Sequence, residues 1–240
     1  AVSGAITNSS GSNYRGTLSY LGAASITGNI GSGAATGSLK GVNFNGATSL
    51  GANVYAQTTT IAAGTTTVSS PVTVTGALVN NATLNLGTSG LSVTGTYTQS
   101  SGSVLSTTIS DASTYGRISV SGNATIDAAS TLNVLVSGSL PTTATTFTLV
   151  DGDGSAGVSL PGTFSVTGST RRFSLLGSSS GDLLLYLQGL SLAPQTTTPN
   201  NRSAAGSLDS VQETATGDMS NVLTTLNNLS AVEMDAAVST

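Results

Sequence analysis

The stretch TTTIAAGTTTVSSPVTV, residues 58–74, decides the fold class. It contains three short segments, Thr58–Ile61, Thr65–Val68 and Val72–Val74, in which β-branched residues dominate and aliphatic side chains stand beside Thr. This composition with a period of two is typical of half-buried strands. The interruptions by Gly, Ser and Pro come too often for helices. The stretch therefore predicts three short strands in close succession.

The same pattern extends outward from this stretch in both directions. It predicts further strands at Gly16–Tyr20, Ala24–Gly28, Gly41–Asn45, Ala82–Leu86, Leu91–Val93 and Gly95–Thr98. So many short strands fit either a β-sandwich or a solenoid. Small turn residues would let successive coils of a solenoid stack at about 4.8 Å. Three strands a coil give a repeat of about 20 residues, so residues 1–110 would form about five coils.

The distribution of charge favours the solenoid. Charged residues are 7% of the 240-residue chain, against about 25% in ordinary soluble domains. Residues 1–110 contain Arg15 and Lys40 and no acid. Like charges stacked directly on one another would repel along the whole axis of a solenoid, so a nearly charge-free stem suits it. Asn43, Asn53 and Asn85 would lie at the corners of coils. Their side chains would either form hydrogen-bonded ladders between coils or act as ordinary turn residues.

Residues 111–190 differ from the stem and predict a capping β module. Longer alternating strands are expected at Tyr115–Ile126 and Thr131–Val136, followed by four more strands separated by Gly-rich turns, as hairpins need. The open end of a solenoid exposes unpaired backbone and bare core, so it requires a cap. The predicted core of this folding module consists of Tyr115, Ile118, Val120, Leu132, Val134, Phe147, Leu149, Phe164 and Phe173.

The C-terminal part predicts a linker followed by helix. Residues 191–202 contain Pro194 and Pro199 and read as a linker. From residue 203 to 240, apolar residues recur at spacings of three and four, which predicts an amphipathic helical segment. Gly217 divides it, and Asp218 or Ser220 would cap the second helix. The segment is rich in Thr and Asn, so we expect it to need a partner surface to order fully.

The residue inventory argues against an enzyme. The chain has no His and no Cys, which excludes His-based triads and thiol nucleophiles. Glycoside hydrolysis needs two facing carboxylates, and the stem has none. A Ser-Lys dyad is confined to Ser38 and Lys40, where a solvated turn lysine is the simpler interpretation. We therefore expect no catalytic residues.

No ligand, metal or nucleic acid is predicted. Asp151-Gly-Asp-Gly154 lacks the spaced acidic ligands of a calcium loop, so we interpret it as a tight turn and expect no metal or cofactor. A net charge of −4 argues against nucleic acid, which needs clustered Lys and Arg. The adjacent Arg171 and Arg172 are interpreted as guards against sheet aggregation. No apolar run approaches the roughly 20 residues that span a bilayer, and Ala1–Gly4 lacks the features of a signal peptide.

The order of these segments resembles a known family. Tyr115-x-x-Ile118-x-Val120 followed by Leu132-x-Val134 and Phe147-x-Leu149 is similar to the C-terminal passenger module of monomeric autotransporters, including pertactin-like adhesins and rickettsial surface antigens. The linker with its helix resembles the segment that leads into the family's outer-membrane barrel. The resemblance implies a right-handed parallel β-helix, an autochaperone role for the cap block and a linker helix that normally lies in the barrel pore.

These expectations combine into one functional hypothesis with two alternatives. The chain would be the non-catalytic extracellular stem of a bacterial autotransporter, a virulence-associated protein of the cell surface. It would display an adhesive passenger and promote its folding after secretion. Its partner would be its own outer-membrane barrel, which the 240 residues do not include, with a host surface or self-association as further partners. The alternatives are a self-associating fibre or surface-layer subunit and, disfavoured by the missing acids, a carbohydrate-acting β-helix enzyme.

Overall fold

The chain is mostly β, with long parallel sheets and a short helical segment at its C-terminal end. The computed structural model describes residues 6–7, 12, 14–33, 37–141, 144–152, 158–169, 171, 173–178, 180–187, 192–193, 196–211, 215, 217–227 and 229–239. The all-β prediction is confirmed at this level. The strands and helices are β1 (Arg15–Tyr20), β2 (Ala24–Ile26), β3 (Leu39–Phe44), β4 (Thr48–Leu50), β5 (Val54–Ile61), β6 (Thr65–Val68), β7 (Val72–Asn80), β8 (Thr83–Asn85), β9 (Gly90–Val93), β10 (Tyr97–Gln99), β11 (Val104–Ile109), β12 (Arg117–Val120), β13 (Ala124–Ile126), β14 (Thr131–Val136), β15 (Thr145–Gly152), β16 (Thr163–Thr167), β17 (Phe173–Gly177), β18 (Leu183–Leu187), α1 (Pro199–Val211), α2 (Asp218–Asn227) and α3 (Ala231–Val238).

The strands stack in three parallel ladders. One ladder runs through β1, β3, the second half of β5, the end of β7, β10 and β13. A second runs through the start of β5, the start of β7, β9, β12 and β15. The third is a separate sheet of β2, β4, β6, β8, β11, β14 and β16. Among the described residues up to β16, no strand pairs with the strand that follows it in sequence, so the chain visits the ladders in rotation.

We call the chain between two neighbouring strands of one ladder a repeat. Its length is near 20 residues in the stem, as the sequence predicts, and grows after residue 110. Hydrogen bonds between stacked repeats join partners 20, 19, 27 and 32 residues apart, at Thr73–Asn53, Asn80–Gln99, Ser110–Ser137 and Ser165–Asn133. The longer repeats contain more residues between neighbouring strands of a ladder, and we call the whole stack of repeats the column.

One of the three predicted ladder asparagines links repeats in succession. The side-chain oxygen of Asn29 accepts a hydrogen bond from the backbone N–H of Asn53 at 3.1 Å, and the oxygen of Asn53 accepts from Thr73 N–H at 2.8 Å. Asn85 instead closes its own turn by accepting from Gly87 N–H. Asn43 makes a long contact of 3.4 Å with a serine of the neighbouring strand.

A single hydrophobic cluster fills the interior from β2 to β18. It forms because alternate residues of each strand point inward, as in β5, where every inward apolar side chain is at most 1% exposed. The predicted stem and the predicted cap share this core. Parallel pairing likewise continues past residue 110, through β12, β14, β15 and β16. The pairing direction changes later than the predicted boundary, because the antiparallel strand pairs in the described part of the chain involve β17 and β18.

The predicted long strand Tyr115–Ile126 is wrong in its extent. Its residues form β12 and β13, which lie on different ladders. The break falls at Ser121, Gly122 and Asn123, where a Cβ on Gly122 would lie 2.8 Å from the oxygen of Gly95. The chain turns a corner of the column at this close approach. The alternation of apolar residues continues across the corner, so the sequence pattern does not show where one strand ends and the next begins.

The middle of the column contains a buried polar cluster formed by Asn80, Gln99 and Tyr97, each at most 1% exposed. The amide nitrogen of Asn80 donates to Gln99 Oε1 and to the carbonyl of Val104, both at 3.0 Å, and its oxygen accepts from the N–H of Ala82. The Tyr97 hydroxyl donates to the same Gln99 oxygen. The cluster ties two neighbouring repeats together through side chains that have no access to water.

The helical tail has a small core of its own. Leu192, Ala205, Leu223 and Met234 are fully buried in one cluster. The first helix starts at Pro199, inside the predicted linker, because proline suits the first helical position. The second starts at Asp218, directly after Gly217 at φ +59°, so Gly217 divides the helical segment as predicted, whereas Asp218 is the first helical residue and not the cap before it. The third, α3, was not predicted and begins with a capping box formed by Ser230 and Glu233.

Candidate functional site

The predicted folding-module residues lie together in the column core. Six of them are at most 5% exposed, and the other three are partly buried against the same cluster. They come from β12, β14, β15, β16 and β17 and from the loop before β12. The fully buried set comprises Ile118, Val120, Leu132, Val134, Phe147 and Leu149, and the partly buried set comprises Tyr115, Phe164 and Phe173.

The strand β15 joins two pairing directions. One of its edges pairs parallel with β12, where Val150 opposes Ile118. Its other edge pairs antiparallel with β18, where Phe147 opposes Leu185. The strand β17 then pairs antiparallel with β18 and ends the sheet. The three strands β15, β17 and β18, which we call the antiparallel plug, therefore end this sheet with antiparallel pairing.

The plug is anchored by apolar side chains that were absent from the predicted set. Leu183, Leu185 and Leu187 alternate along β18, and each is fully buried in the column core. Their period of two in the run LLLYL is a signal visible in the sequence. The aromatic ring of Tyr115 packs edge-on against Phe147, with ring centres 5.2 Å apart and planes at 84°. This contact connects the loop before β12 to the plug.

A carboxylate organises the turn that connects β17 to β18. Asp182 Oδ2 accepts hydrogen bonds from the hydroxyls of Ser178 and Ser180 at 2.8 and 2.7 Å. Its Oδ1 accepts from the N–H of Gly152 in β15 at 3.1 Å. Burial alone would raise the pKa of Asp182, but these hydrogen bonds lower it below the usual value. The plug thus holds a charged carboxylate that ties its turn to β15.

Two carboxylates hold the segment before the helical tail. Asp209 in α1 accepts from the backbone N–H groups of Leu192 and Ala193. Asp235 in α3 accepts from the hydroxyl and N–H of Thr197 and from the amide of Asn201. The hydroxyl and backbone N–H of Thr197, followed by the Asn201 amide, lower the pKa of Asp235. These contacts tie α1 and α3 to the segment before the helices, while Val211, Met219 and Val222 of the predicted apolar pattern remain 38–50% exposed.

The structure places most of the polar residues that the sequence analysis singled out as pairs or as a turn. Ser38 is buried and donates to the Ser32 carbonyl, while Lys40 is exposed. Arg171 is 6% exposed and donates to the Pro141 carbonyl at 2.8 Å, and burial lowers its pKa to about 10, so it does not guard an exposed edge. Arg172, Asp153 and Gly154 lie outside the described residues.

Over the residues that the structure describes, no group of three or more His, Cys, Asp or Glu side chains could hold a metal ion. None of the described helices has both the length and the apolar character needed to cross a membrane. Comparison with protein-family models, with curated proteins and with solved structures found no match to this chain.

Proposed function

We propose that this chain is the non-catalytic extracellular stem of a bacterial autotransporter, in which the antiparallel plug promotes folding of the stem behind it. The observation that carries the proposal is the change of pairing direction at β15. In the plug, the β17–β18 hairpin folds through local contacts, and β15 then pairs with β18 across 33–42 residues and offers one parallel edge. Each repeat of the stem would add to that edge in turn.

The three ladders support the finer proposal that the column is a right-handed parallel β-helix. The chain returns to each ladder after a repeat with parallel register. Connections between parallel strands of one sheet are right-handed in about 98% of cases, because the strand twist favours that hand. A β-helix of this kind is a stiff spacer, which is what the display of an adhesive passenger away from a cell surface requires.

The need for a template follows from the topology. Each parallel pair joins residues about 20 or more positions apart, so loop closure costs free energy before any contact forms. The plug lowers this barrier because the β17–β18 hairpin has short-range pairs, such as Gly177 with Leu183. Segments added later then meet an edge that already exists.

The remaining parts of the proposal concern location and partners. The helical tail would lead into the chain's own outer-membrane barrel, and the stem would lie at the cell surface facing host surfaces or other copies. We expect no enzyme activity, no cofactor and no nucleic-acid partner. These expectations rest on the missing His and Cys, the acid-free residues 1–110 and the net charge of −4.

Replacing Leu149 or Phe147 with Asp tests the templating role. Both side chains are fully buried in β15, and a charge there cannot be solvated. We expect the Leu149→Asp and Phe147→Asp variants to lose or strongly slow folding of the entire stem after dilution from denaturant. Pulsed hydrogen exchange during refolding of the wild type should protect the amides of β15, β17 and β18 before those of β3 and β5.

Ile26→Asp is the matched control, because Ile26 is equally buried but belongs to β2 at the other end of the column. This variant should lose its first repeats and still protect β15 and β18 at the normal rate. Normal refolding of β3 and β5 in Leu149→Asp would refute the templating role. So would wild-type kinetics in which the N-terminal repeats become protected first.

A self-associating fibre or surface-layer subunit is the second candidate, favoured by the other end of the sheet. The strand β1 is the outermost strand of its ladder, and within the described residues only β3 pairs with it. Leu21 and Tyr14 flank β1 and are 83% and 49% exposed. An open strand edge with apolar neighbours can pair with another chain. Light scattering across a concentration series separates the candidates, because the display stem stays monomeric and the fibre subunit grows.

A further inference from the structure

A concave groove lies on the outer face of the sheet where β7, β9 and β12 stack. Its volume is about 450 Å³, within the range of small-molecule sites. Hydroxyl side chains dominate its lining, and Arg117 is the charged residue among the lining groups. Three repeats contribute to it, so the groove exists only when the column is assembled.

The floor of the groove is open because a glycine faces an arginine. Gly90 in β9 is the register partner of Arg117 in β12. A Cβ built on Gly90 would meet no atom within 4 Å. Beside this pair, Thr73, Ser92 and Ser119 oppose one another on successive strands. Successive strands lie about 4.8 Å apart, so the floor presents hydroxyl groups at a regular spacing.

The wall of the groove is a loop held in one conformation. Asp111 Oδ1 accepts hydrogen bonds from the N–H and hydroxyl of Ser113, both at 2.8 Å, and from Thr114 N–H at 2.7 Å. The Ser113 hydroxyl, followed by the two backbone groups, lowers the pKa of Asp111 to about 2. Tyr115 forms an antiparallel bridge with Ile109 and packs its ring against the core. The side of the groove is therefore formed before a ligand arrives.

The guanidinium of Arg117 is available to a ligand. The side chain is exposed, and within the described residues it has no hydrogen bond and no ion pair. The nearest acid in the ladder is Asp151, which opposes Ser119, two residues along from Arg117. Strand spacing and rise place the two Cα atoms about 8 Å apart. That is close to the Debye length of about 8 Å at physiological salt, so dissolved ions weaken the attraction between Asp151 and the arginine.

We propose that this groove binds an acidic saccharide, with the sugar carboxylate on Arg117 and the ring hydroxyls on the serine and threonine hydroxyls of the floor. A planar guanidinium binds a carboxylate through two parallel hydrogen bonds. Hydroxyl groups both donate and accept, as the vicinal hydroxyls of a sugar require. The volume accommodates one or two sugar rings.

Isothermal titration calorimetry with the full chain tests this assignment, with digalacturonate as the acidic probe. Galactobiose, which lacks the carboxylates, and acetate, which lacks the rings, are the comparison probes. We expect digalacturonate to bind at least tenfold more tightly than either, and its affinity to fall as salt is raised. Amide shifts in an NMR titration should concentrate at residues 90–92 and 113–119.

Two variants locate the site without disturbing the core. Arg117→Ala should weaken digalacturonate binding at least tenfold, and Gly90→Leu should abolish it by filling the open floor. Arg15→Ala is the control for loss of an exposed strand arginine, and Gly22→Leu is the control for a glycine with open space at its Cβ. Both controls should bind normally, and all four variants should keep the wild-type melting temperature.

The possible outcomes decide the proposal. Equal affinity for galactobiose and digalacturonate would overturn the role of Arg117, and equal affinity for acetate would overturn the role of the hydroxyl floor. Undiminished binding by Gly90→Leu would overturn the location. Absence of binding at millimolar digalacturonate would overturn the proposal as a whole, while leaving the templating role of the plug unaffected.

Discussion

Asn80 illustrates how single residues act in this column. It occupies an inward position that Ile61 fills on the preceding strand of the same ladder. Its side chain satisfies the Val104 carbonyl and the Ala82 N–H. Asn80→Ala would remove these two contacts to partly buried backbone groups and the buried contact to Gln99, so we expect it to lower the free energy of unfolding by about 2–4 kcal/mol. Urea denaturation followed by circular dichroism measures the change.

Asn43→Ala is the matched control for Asn80→Ala. Asn43 belongs to the same ladder, but its amide makes only one contact of 3.4 Å, near the surface. Its replacement should change the unfolding free energy by less than about 0.5 kcal/mol. Equal effects of the two substitutions would show that the Asn80 contacts do not stabilise the interior.

Because Tyr97 is buried, we expect the stability of the column to fall at alkaline pH. Burial, partly offset by a hydrogen bond from Asn80, raises the pKa of its phenol far above the ordinary value of 10.0. Below about pH 10 the phenol is neutral in both the folded and the unfolded chain, so this stabilisation is fully present. Above pH 10 the unfolded chain ionises while the folded chain resists, so stability falls as pH rises.

Chemical denaturation from pH 8 to pH 11.5 measures this loss. Tyr97→Phe should show a shallower decline above pH 10 than the wild type, although its stability at pH 8 is lower because the Gln99 contact is gone. Tyr14→Phe, at an exposed position, should retain the wild-type slope. An unchanged slope in Tyr97→Phe would contradict the buried neutral phenol.

At the scale of elements, the sequence predicts strands better than their partners. The segments Thr65–Val68 and Thr131–Val136 match β6 and β14 residue for residue. The period of two is the same in parallel and antiparallel strands, so it does not reveal that β14 pairs with β11 while β17 pairs with its neighbour β18. Pairing direction depends on the length and path of the connections, which alternation does not encode. β4 and β11 were missed for lack of a long apolar alternation.

The plug depends on the alternating leucines of β18. Leu185→Ala removes a fully buried side chain that opposes Phe147 and Leu175. A cavity of this kind costs about 2–5 kcal/mol. We expect the variant to unfold at correspondingly lower denaturant concentration and to refold more slowly, because the plug is where folding begins. Stopped-flow fluorescence or circular dichroism gives both rates.

Leu176→Ala is the control within the plug. Leu176 is 46% exposed, so its truncation should cost less than about 1 kcal/mol and leave the refolding rate unchanged. A Leu185→Ala variant that unfolds faster but refolds at the normal rate would show that the plug forms late. That result would separate the stability of the plug from its proposed templating role.

At the scale of the whole molecule, the stacking of repeats determines both the stability of the protein and the position of the groove. Each repeat contacts mainly its neighbours, and one core connects them from β2 to β18. The groove around Arg117 draws on Thr73 and Gly90 from two earlier repeats. These residues become neighbours only because β7, β9 and β12 pair in one particular register. The sequence pattern predicts the strands but not the register in which they pair. The all-β class was therefore predictable from alternation, whereas the groove required the paired structure.

Disulfide trapping across one ladder tests the parallel column most directly. The chain has no cysteine of its own, and Ser49 and Thr67 oppose each other on adjacent parallel strands β4 and β6. A Cα separation of about 4.8 Å permits a disulfide, whereas two strand spacings exceed the limit of about 7 Å. The S49C/T67C variant should therefore oxidise rapidly in the folded state, and S49C/N85C, which skips one strand, should remain reduced. Failure of the first pair to cross-link, or equally fast cross-linking of the second, would contradict the stacked parallel ladders.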